Sequence, residues 1–286
     1  MIARRMRHCA AAGAVLAAML PAPSARAADE SPWDGDARSA ARLVAGIPAR
    51  GDGTSLRAGV EIRLAPGWKT YWRYPGDSGV PPTFDFTRST NVASATVSWP
   101  APHRFGDGSG QSIGYDRSVI FPVRVVAERP AEPVTLRLRL DYAVCEKLCV
   151  PSEAALELQL PAPAPGSAAN EAALAAAEAR VPNPSAIGAR SDLAVTNVRR
   201  EPGERFARVI VDVAVPPGET VDLFAEGPTP EWALPLPMPV AGAPAGSQRF
   251  AFDLDGIPAG VNAQGATLTL TAVAPRSAIE VRAPVE

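Results

Sequence analysis

The feature that most constrains this chain is a pair of cysteines, Cys145 and Cys149, set between two stretches in which apolar and polar residues alternate. A disulfide needs Cα atoms about 4.4 to 6.8 Å apart, whereas four residues of extended chain would separate them by roughly 13 Å. The two cysteines can therefore pair only across a turn. The alternation from Val134 to Tyr142, and again from Leu156 to Leu160, has the period of half-buried strands. We therefore predict a β-hairpin with the cysteines at or near its connection.

A structural disulfide and a redox-active pair are both compatible with this spacing. Most cysteine pairs in secreted proteins are structural. In the chain-entropy model, however, a loop of about five residues contributes only roughly 2 kcal/mol, against about 4.7 kcal/mol for a loop of about a hundred. Lys147 lies between the cysteines and favours the reactive thiolate, whereas Glu146 opposes it. The spacing alone leaves both alternatives open.

Residues 1–28 have the composition of a secretory signal peptide. Arg4, Arg5 and Arg7 precede an apolar run from Cys9 to Leu20, and Ala25-Arg26-Ala27 offers a small-x-small cleavage site. The apolar run is too short to span a bilayer, and no other stretch approaches about 18 uninterrupted apolar residues. We therefore expect a secreted, soluble mature protein with no membrane span.

The charge and the scarcity of metal-ligating side chains exclude several classes of function. Four of the 28 basic residues and none of the 30 acidic ones lie in the signal segment, so the mature chain has a net charge of −6. An acidic chain argues against nucleic acid as a partner. One histidine, His103, and two cysteines cannot build the usual zinc sites, so we expect no cofactor and no metal site. A hydrolase that used His103 as a base would lack a nucleophile motif.

The patterning beyond the cysteines is almost entirely that of β-strands. Short strand patterns such as Leu56 to Leu64, punctuated by proline and glycine, predict a β-sandwich. Pro161 to Ser167 has the composition of a linker, and Asn170 is the expected N-cap of a short helix from Glu171 to Arg180. Strand patterns recur after Pro184. We predict a signal peptide at 1–28, a first β-domain at 29–161, a linker with a short helix at 162–188, and a second small, sandwich-like β-domain of open role at 189–286.

Two further segments admit both a structural and a functional interpretation. The stretch from Gly67 to Gly79 holds two tryptophans and two tyrosines, which form either a packed core edge or a ligand-facing patch. The glycine-rich stretch from Trp99 to Gly110 carries His103 and Phe105. It is either a surface loop or a lid whose aromatic residue covers a reactive group.

A series of motifs runs through the first predicted domain: Gly67-Trp68, Tyr71-Trp72, Pro75 to Gly79, Trp99 to Pro102, Gly114-Tyr115, and the group Tyr142, Cys145, Cys149 and Pro151. In this order, the motifs resemble the N-terminal periplasmic domain of the DsbD and ScsB-type thiol:disulfide interchange proteins, over roughly Arg38 to Leu160. The resemblance implies an immunoglobulin-like sandwich in the periplasm. It also implies that the cysteine pair relays electrons from a membrane-embedded domain, through thioredoxin-like domains, to disulfide isomerases and cytochrome c maturation factors.

The resemblance also assigns roles to individual residues. Cys145 and Cys149 would be catalytic, with Cys149 attacking the partner and Cys145 resolving the mixed disulfide. Phe105 would be the aromatic cap over the cysteines. The expected cap or site-lining residues are His103, Phe105, Tyr115, Tyr142 and Lys147.

Two departures from the family pattern accompany this assignment. The cysteine spacing is shorter than in the best-studied form, and the chain reaches Glu286 without the membrane helices and thioredoxin-like domain of a full-length DsbD. We therefore expect a free-standing module that exchanges electrons with thioredoxin-fold periplasmic proteins and a membrane donor. If active, it would serve as a protein-disulfide reductase component.

The alternative is a non-enzymatic periplasmic binding module for a protein partner or copper. Its cysteines would be structural or would ligate Cu(I), with His103 as a third ligand.

Overall fold

The computed structural model describes residues 29–47, 55–106, 110–160 and 168–286. The predicted signal peptide and the linker residues 161–167 lie outside these ranges. The described residues form two β-sandwiches, which confirms the prediction of an all-β fold with a second small sandwich. In the described part of the chain, no helix reaches the length and apolarity that a membrane span requires.

The first sandwich consists of a five-stranded and a six-stranded antiparallel sheet. The strand order is β1-β2-β3-β9-β6 in one sheet and β11-β10-β4-β8-β7 in the other, where β5 also pairs with β10. The strands are β1 (Asp34–Gly35), β2 (Ser39–Ala45), β3 (Ser55–Leu64), β4 (Lys69–Gly76), β5 (Thr83–Asp85), β6 (Val92–Val97), β7 (His103–Gly106), β8 (Gln111–Tyr115), β9 (Val119–Ala127), β10 (Val134–Cys145) and β11 (Cys149–Leu160).

The period-2 alternation of these strands produces the core between the sheets, because successive side chains point to opposite faces. The inward residues include Val60, Ile62, Phe121, Leu136 and Leu140, all of them fully buried. The outward positions of β10 and β11 carry charged residues. The cysteines lie at one end of this sandwich, where β10 and β11 meet.

The second sandwich follows from β12 (Asn183–Ser185), β13 (Ala194–Glu201), β14 (Arg208–Ala214), β15 (Asp222–Glu226), β16 (Met238–Val240), β17 (Ser247–Asp253), β18 (Thr267–Val273) and β19 (Ala278–Pro284). Its sheets have the orders β12-β19-β18-β15 and β13-β14-β17-β16. Strand β12 lies in the segment predicted as a linker, yet it pairs with β19 and forms an edge of this sandwich.

Helix α1 (Ala168–Glu178) packs back onto the first sandwich. The Arg57 guanidinium donates to Glu171 and Glu178, each at 2.6 Å, and the fully buried Leu174 faces β2 and β3. The expectation that Asn170 caps the helix is wrong, because the helix begins at Ala168. The Asn170 amide instead donates to the Asp29 carbonyl oxygen at 3.0 Å.

The two sandwiches share buried side chains. Phe224 and Leu236 of the second sandwich belong to the hydrophobic cluster of the first. The ring of Phe224 lies 5.8 Å from that of Trp72 on β4, and both side chains are fully buried. The interface is therefore a continuation of the first core.

Candidate functional site

The cysteines occupy the last and first residues of two strands that pair along their whole length. In the hairpin of β10 and β11, Val134 lies opposite Leu160 at the far end and Cys145 lies opposite Cys149 at the connection. Residues 146–148 form the turn. This confirms the prediction of a hairpin with the cysteines at its connection. Cross-strand partners share one face of a sheet, so the two thiols face each other.

The two thiols are unequally accessible. Their sulfur atoms lie 2.9 Å apart, against about 2.05 Å in a disulfide, so the bond can form with little movement of the hairpin. Cys145 is buried at 7% exposure, whereas Cys149 is exposed. Cys149 is open to a partner, and Cys145 lies behind it.

Tyr71 on β4 contacts the exposed thiol from the buried side. Its hydroxyl oxygen lies 2.9 Å from the Cys149 sulfur, and the side chain is fully buried in a small cluster with Ala143 and Cys145. Burial, together with the hydrogen bond to Cys149, raises the pKa of Tyr71 well above its usual value. The phenol therefore keeps its proton across the pH range in which thiols ionise, and its hydroxyl can donate a hydrogen bond to a Cys149 thiolate.

Strand pairing and one glycine place Tyr71 in this position. Lys69 lies opposite Cys145 and Thr70 opposite Val144, so Tyr71 follows on the same face as the cysteines. The backbone of Gly79 then crosses the Tyr71 ring. Gly79 has a φ of +121°, and a Cβ atom there would lie 2.3 Å from Cε1 of the ring. The glycine is what allows the chain to close over the tyrosine.

Phe105, the predicted cap, lies near the cysteine face through Lys69. The Lys69 ammonium is 4.5 Å from the centre of the Phe105 ring and donates to the Gly106 carbonyl oxygen at 3.2 Å. Because Lys69 and Cys145 are cross-strand partners, this contact places the Phe105 ring on the face of the sheet that carries the thiols. Residues 107–109 of the loop lie outside the described ranges. The role of Phe105 as a cap stays a prediction.

Tyr115 and Tyr142 do not lie beside the sulfur atoms, and the expectation that they line the site is corrected here. The Tyr115 hydroxyl donates to the Pro100 carbonyl oxygen at 2.8 Å, and the Tyr142 hydroxyl is 2.9 Å from the Ser39 hydroxyl. Both side chains belong to the core between the sheets. Tyr142 and Cys145 are an odd number of residues apart on one strand, so their side chains point to opposite faces.

The two remaining predicted residues are His103 on β7 and Lys147 in the turn of the hairpin. His103 Nε2 is 3.2 Å from an Asp116 oxygen, and burial lowers the pKa of His103 although Asp116 opposes the shift. The structure thus pairs His103 with Asp116 rather than with the cysteines. No cluster of three or more His, Cys, Asp or Glu side chains suited to a metal occurs among the described residues. Lys147 is exposed in the turn beside Leu148, which is 78% exposed.

Sequence reasoning missed Tyr71 as a contact of the thiol. The only signal was the aromatic stretch from Gly67 to Gly79, for which a packed core edge and a ligand-facing patch were both open. The structure divides that stretch between the two interpretations. Trp72 packs in the core, whereas Tyr71 faces the sulfur.

Residues 40–161 match the family described as the N-terminal domain of the thiol:disulfide interchange protein DsbD. The cysteine hairpin, Tyr71 and Phe105 all fall inside this range. Residues 40–161 are therefore similar to a DsbD N-terminal domain. The predicted resemblance is therefore confirmed, and with it the immunoglobulin-like class of the first sandwich.

The crystal structure of the N-terminal periplasmic domain of ScsB from Proteus mirabilis shares the fold. It is 22% identical in sequence, and the superposition has a TM-score of 0.69. The match covers 90% of this chain and 98% of the ScsB chain, so the likeness extends beyond the DsbD domain into the second sandwich. None of the curated proteins compared with the chain matches it.

Proposed function

We propose that this protein is a periplasmic thiol-disulfide interchange protein that relays electrons between its cysteine pair and thioredoxin-fold periplasmic proteins. The observation that carries the proposal is the pair of cysteine sulfur atoms 2.9 Å apart, one in an exposed and one in a buried residue, within the segment that matches the DsbD N-terminal domain. Disulfide isomerases and cytochrome c maturation factors are the proposed acceptors, and a membrane protein is the proposed donor. In this role the chain is a component of a protein-disulfide reductase.

The chemistry is dithiol-disulfide exchange in two steps. The Cys149 thiolate attacks one sulfur of a partner disulfide, forms a mixed disulfide, and releases the other partner sulfur as a thiolate. The Cys145 thiolate then attacks the Cys149 sulfur, closes the Cys145–Cys149 disulfide, and releases the second partner thiolate. The protein loses two electrons, the partner gains them, and the protons of the two thiols end on the partner thiols. A membrane donor reverses these steps to restore the dithiol.

The unequal burial of the thiols supports this order of attack. The exposed Cys149 sulfur can line up with the S–S bond of a partner disulfide, whereas Cys145 is buried in the hairpin. The Tyr71 hydroxyl supplies a hydrogen bond to the Cys149 sulfur, which stabilises it as thiolate before attack and as leaving group afterwards. Cys145 needs only to approach a sulfur already 2.9 Å away.

The reduction potential of the pair tests the proposal. Equilibration in glutathione buffers, read out by mass spectrometry of alkylated thiols, should give a value between about −180 and −270 mV. A value below about −300 mV with slow reduction would identify a structural disulfide and overturn the proposal.

Single-cysteine variants test the order of attack. The Cys145→Ser variant should trap a mixed disulfide with an oxidised thioredoxin-fold protein through Cys149, because no second thiol resolves it. The Cys149→Ser variant should trap much less, and the double variant should fold but not exchange. Equal trapping by both single variants would show that the unequal burial does not decide which thiol attacks.

A further inference from the structure

Arg73 on β4 ties the strand of Tyr71 to the second sandwich. Its guanidinium donates to Glu226 on β15 through Nε at 2.9 Å and through a terminal nitrogen at 2.7 Å, and it also pairs with Glu280 on β19. The side chains of Arg73 and Glu226 are only 26% and 17% exposed. Partly buried bidentate pairs of this kind fix geometry more firmly than surface ion pairs do.

Arg104 ties the strand of Phe105 to the same sandwich. Its side chain is 13% exposed and donates to the Asp222 carboxylate at 2.7 and 3.3 Å. It also donates to the carbonyl oxygens of Leu223 at 3.3 Å and Pro237 at 3.1 Å. One arginine of β7 therefore bonds to two separate segments of the second sandwich.

These two strands also carry Tyr71, which contacts the Cys149 sulfur, and Phe105, which contacts Lys69 on the cysteine face. On β4, Tyr71 contacts Cys149 and stands two residues before Arg73. On β7, Phe105 follows Arg104 directly, and successive side chains of a strand point to opposite faces. The arginine thus enters the second sandwich while the phenylalanine meets Lys69 on the cysteine face.

Apolar and neutral contacts reinforce the two arginines. The Trp72 ring packs on Phe224, and the Tyr74 hydroxyl donates to the Leu234 carbonyl oxygen. All four contacts join β4 or β7 to the second sandwich. The second sandwich therefore acts on the strands beside the thiols.

Building on the proposed function, we propose that the second sandwich positions the redox site, with Arg73 and Arg104 as positioning residues. By holding β4 and β7 it keeps Tyr71 on the Cys149 sulfur and Phe105 over the face of Cys145. This assigns the second sandwich a role in the shielding of the buried thiol. Loss of a tie should expose Cys145 while the hairpin stays folded.

Alkylation of the reduced full-length chain measures this shielding. The Arg104→Ala variant should raise the iodoacetamide rate constant of Cys145 about tenfold, which corresponds to about 1.4 kcal/mol of easier local opening. The Asp222→Asn variant removes the same charge pair from the other sandwich and keeps the side-chain volume, so it should act in the same direction. Cys149 is already exposed, and its rate should change less than that of Cys145.

The control is Arg129→Ala, which removes an exposed arginine that pairs with Glu132 in the turn after β9. Its Cys145 rate should stay within about twofold of wild type. If Arg104→Ala does not fold, the isosteric Asp222→Asn variant decides the question. Rates within about twofold of wild type in the folded variants would overturn the positioning role.

Alkylation needs no redox partner, so this test is separate from that of the proposed function. A potential below about −300 mV together with faster Cys145 alkylation in the variants would reject electron relay and keep the positioning role. A potential in the exchange range, together with unchanged Cys145 alkylation in the variants, would support electron relay and reject the positioning role.

Discussion

Tyr71 controls the surroundings of the exposed thiol through a single hydroxyl group. Its ring is held by the Gly79 backbone on one side and by Ala143 and Cys145 on the other, so the hydroxyl oxygen has little freedom to leave the sulfur. Because burial raises the pKa of Tyr71 and keeps the phenol protonated, its hydroxyl can donate a hydrogen bond to the thiolate at every pH at which thiols ionise. One buried phenol can thus assist an exposed nucleophile.

The Tyr71→Phe variant should alkylate more slowly at Cys149. A hydrogen bond to a charged group contributes about 1.5–3 kcal/mol, so its removal lowers the fraction of Cys149 that is thiolate. The less stabilised thiolate is a stronger nucleophile, and this offsets about half of the resulting decrease in rate. We therefore expect the iodoacetamide rate constant of Cys149 at pH 7 to fall about threefold to tenfold. Mass spectrometry of the reduced protein measures it.

Tyr142→Phe is the matched control for this change. It also deletes one buried hydroxyl, but that hydroxyl bonds across the core to Ser39 on β2 of the other sheet. Its Cys149 rate should equal that of wild type. Equal slowing in both variants would mean that the effect comes from general loosening of the sandwich, not from the contact with sulfur.

At the scale of single residues, the sequence predicts what local spacing decides and misses what packing decides. The separation of Cys145 and Cys149 by three residues requires a turn, and the structure has one. The contact of Tyr71 depends on the pairing of β4 with β10, strands about seventy residues apart in the chain. The motif resemblance suggested Tyr142 and Tyr115 instead, although period-2 alternation places Tyr142 on the face opposite to Cys145.

The segment after β4 is an element whose conformation depends on Gly79. The residue has a positive φ, which disfavours any other amino acid, and its Cα faces the Tyr71 ring at a distance that leaves no room for a side chain. The loop and the tyrosine are therefore packed as one unit.

The Gly79→Ala variant should lose more stability than the same substitution at a positive-φ glycine in open space. The positive φ costs roughly 1–2 kcal/mol, and the clash with the ring adds about 1–3 kcal/mol of overpacking. Gly218→Ala is the control, because Gly218 has a φ of +76° but nothing within 4 Å of its Cβ position. Urea unfolding of both variants measures the difference. Equal losses would show that the loop yields without disturbing Tyr71.

Strand β14 of the second sandwich carries a buried carboxylate, Asp212, whose charge depends on pH. Hydrogen bonds from Arg249 at 2.6 and 3.0 Å lower the pKa of Asp212, and Arg199 adds to the effect. A carboxyl group with a depressed folded pKa stabilises the fold above its unfolded pKa of about 3.9. That contribution is lost as the pH falls through the folded pKa.

The Asp212→Asn variant should therefore be less stable than wild type at pH 7, and the difference should shrink as the pH falls below about 4. Urea unfolding at a series of pH values measures it. Asp255→Asn, an exposed carboxylate in the turn after β17, serves as the control. A difference that stays constant down to pH 2 would mean that Asp212 contributes through its shape and not through its charge.

Elements defined by their own sequence pattern were predicted well, whereas elements whose ends depend on tertiary contacts were not. The alternation in β10 and β11 is set by one buried face, so the sequence alone indicates both strands. The start of helix α1 is set by tertiary contacts, because Arg57 holds its two glutamates and Asp29 takes the Asn170 amide. The N-cap prediction for Asn170 used only neighbours in sequence and was therefore wrong.

At the scale of the whole molecule, the strand patterns predict the two sandwiches but not the buried interface between them. Proline-rich and glycine-rich segments between strand patterns indicate separate β units. Nothing in the sequence marks Phe224 as a residue of the first core, because its strand pattern resembles that of its neighbours in the second. The continuity of the core arises only when Trp72 and Phe224 meet.

The Phe224→Ala variant tests whether the molecule behaves as one unit. Truncation of a buried phenylalanine costs about 3–5 kcal/mol, and here the cavity would lie beside Trp72 on β4. Hydrogen exchange followed by mass spectrometry should therefore show faster exchange in β4 as well as in β15. Phe250→Ala is the matched control, because Phe250 is equally buried but packs within the second core. It should speed exchange in the second sandwich and leave β4 near its wild-type rate. If Phe224→Ala leaves β4 unchanged, the two sandwiches open independently, and the arginine ties alone would have to carry any coupling to the thiols.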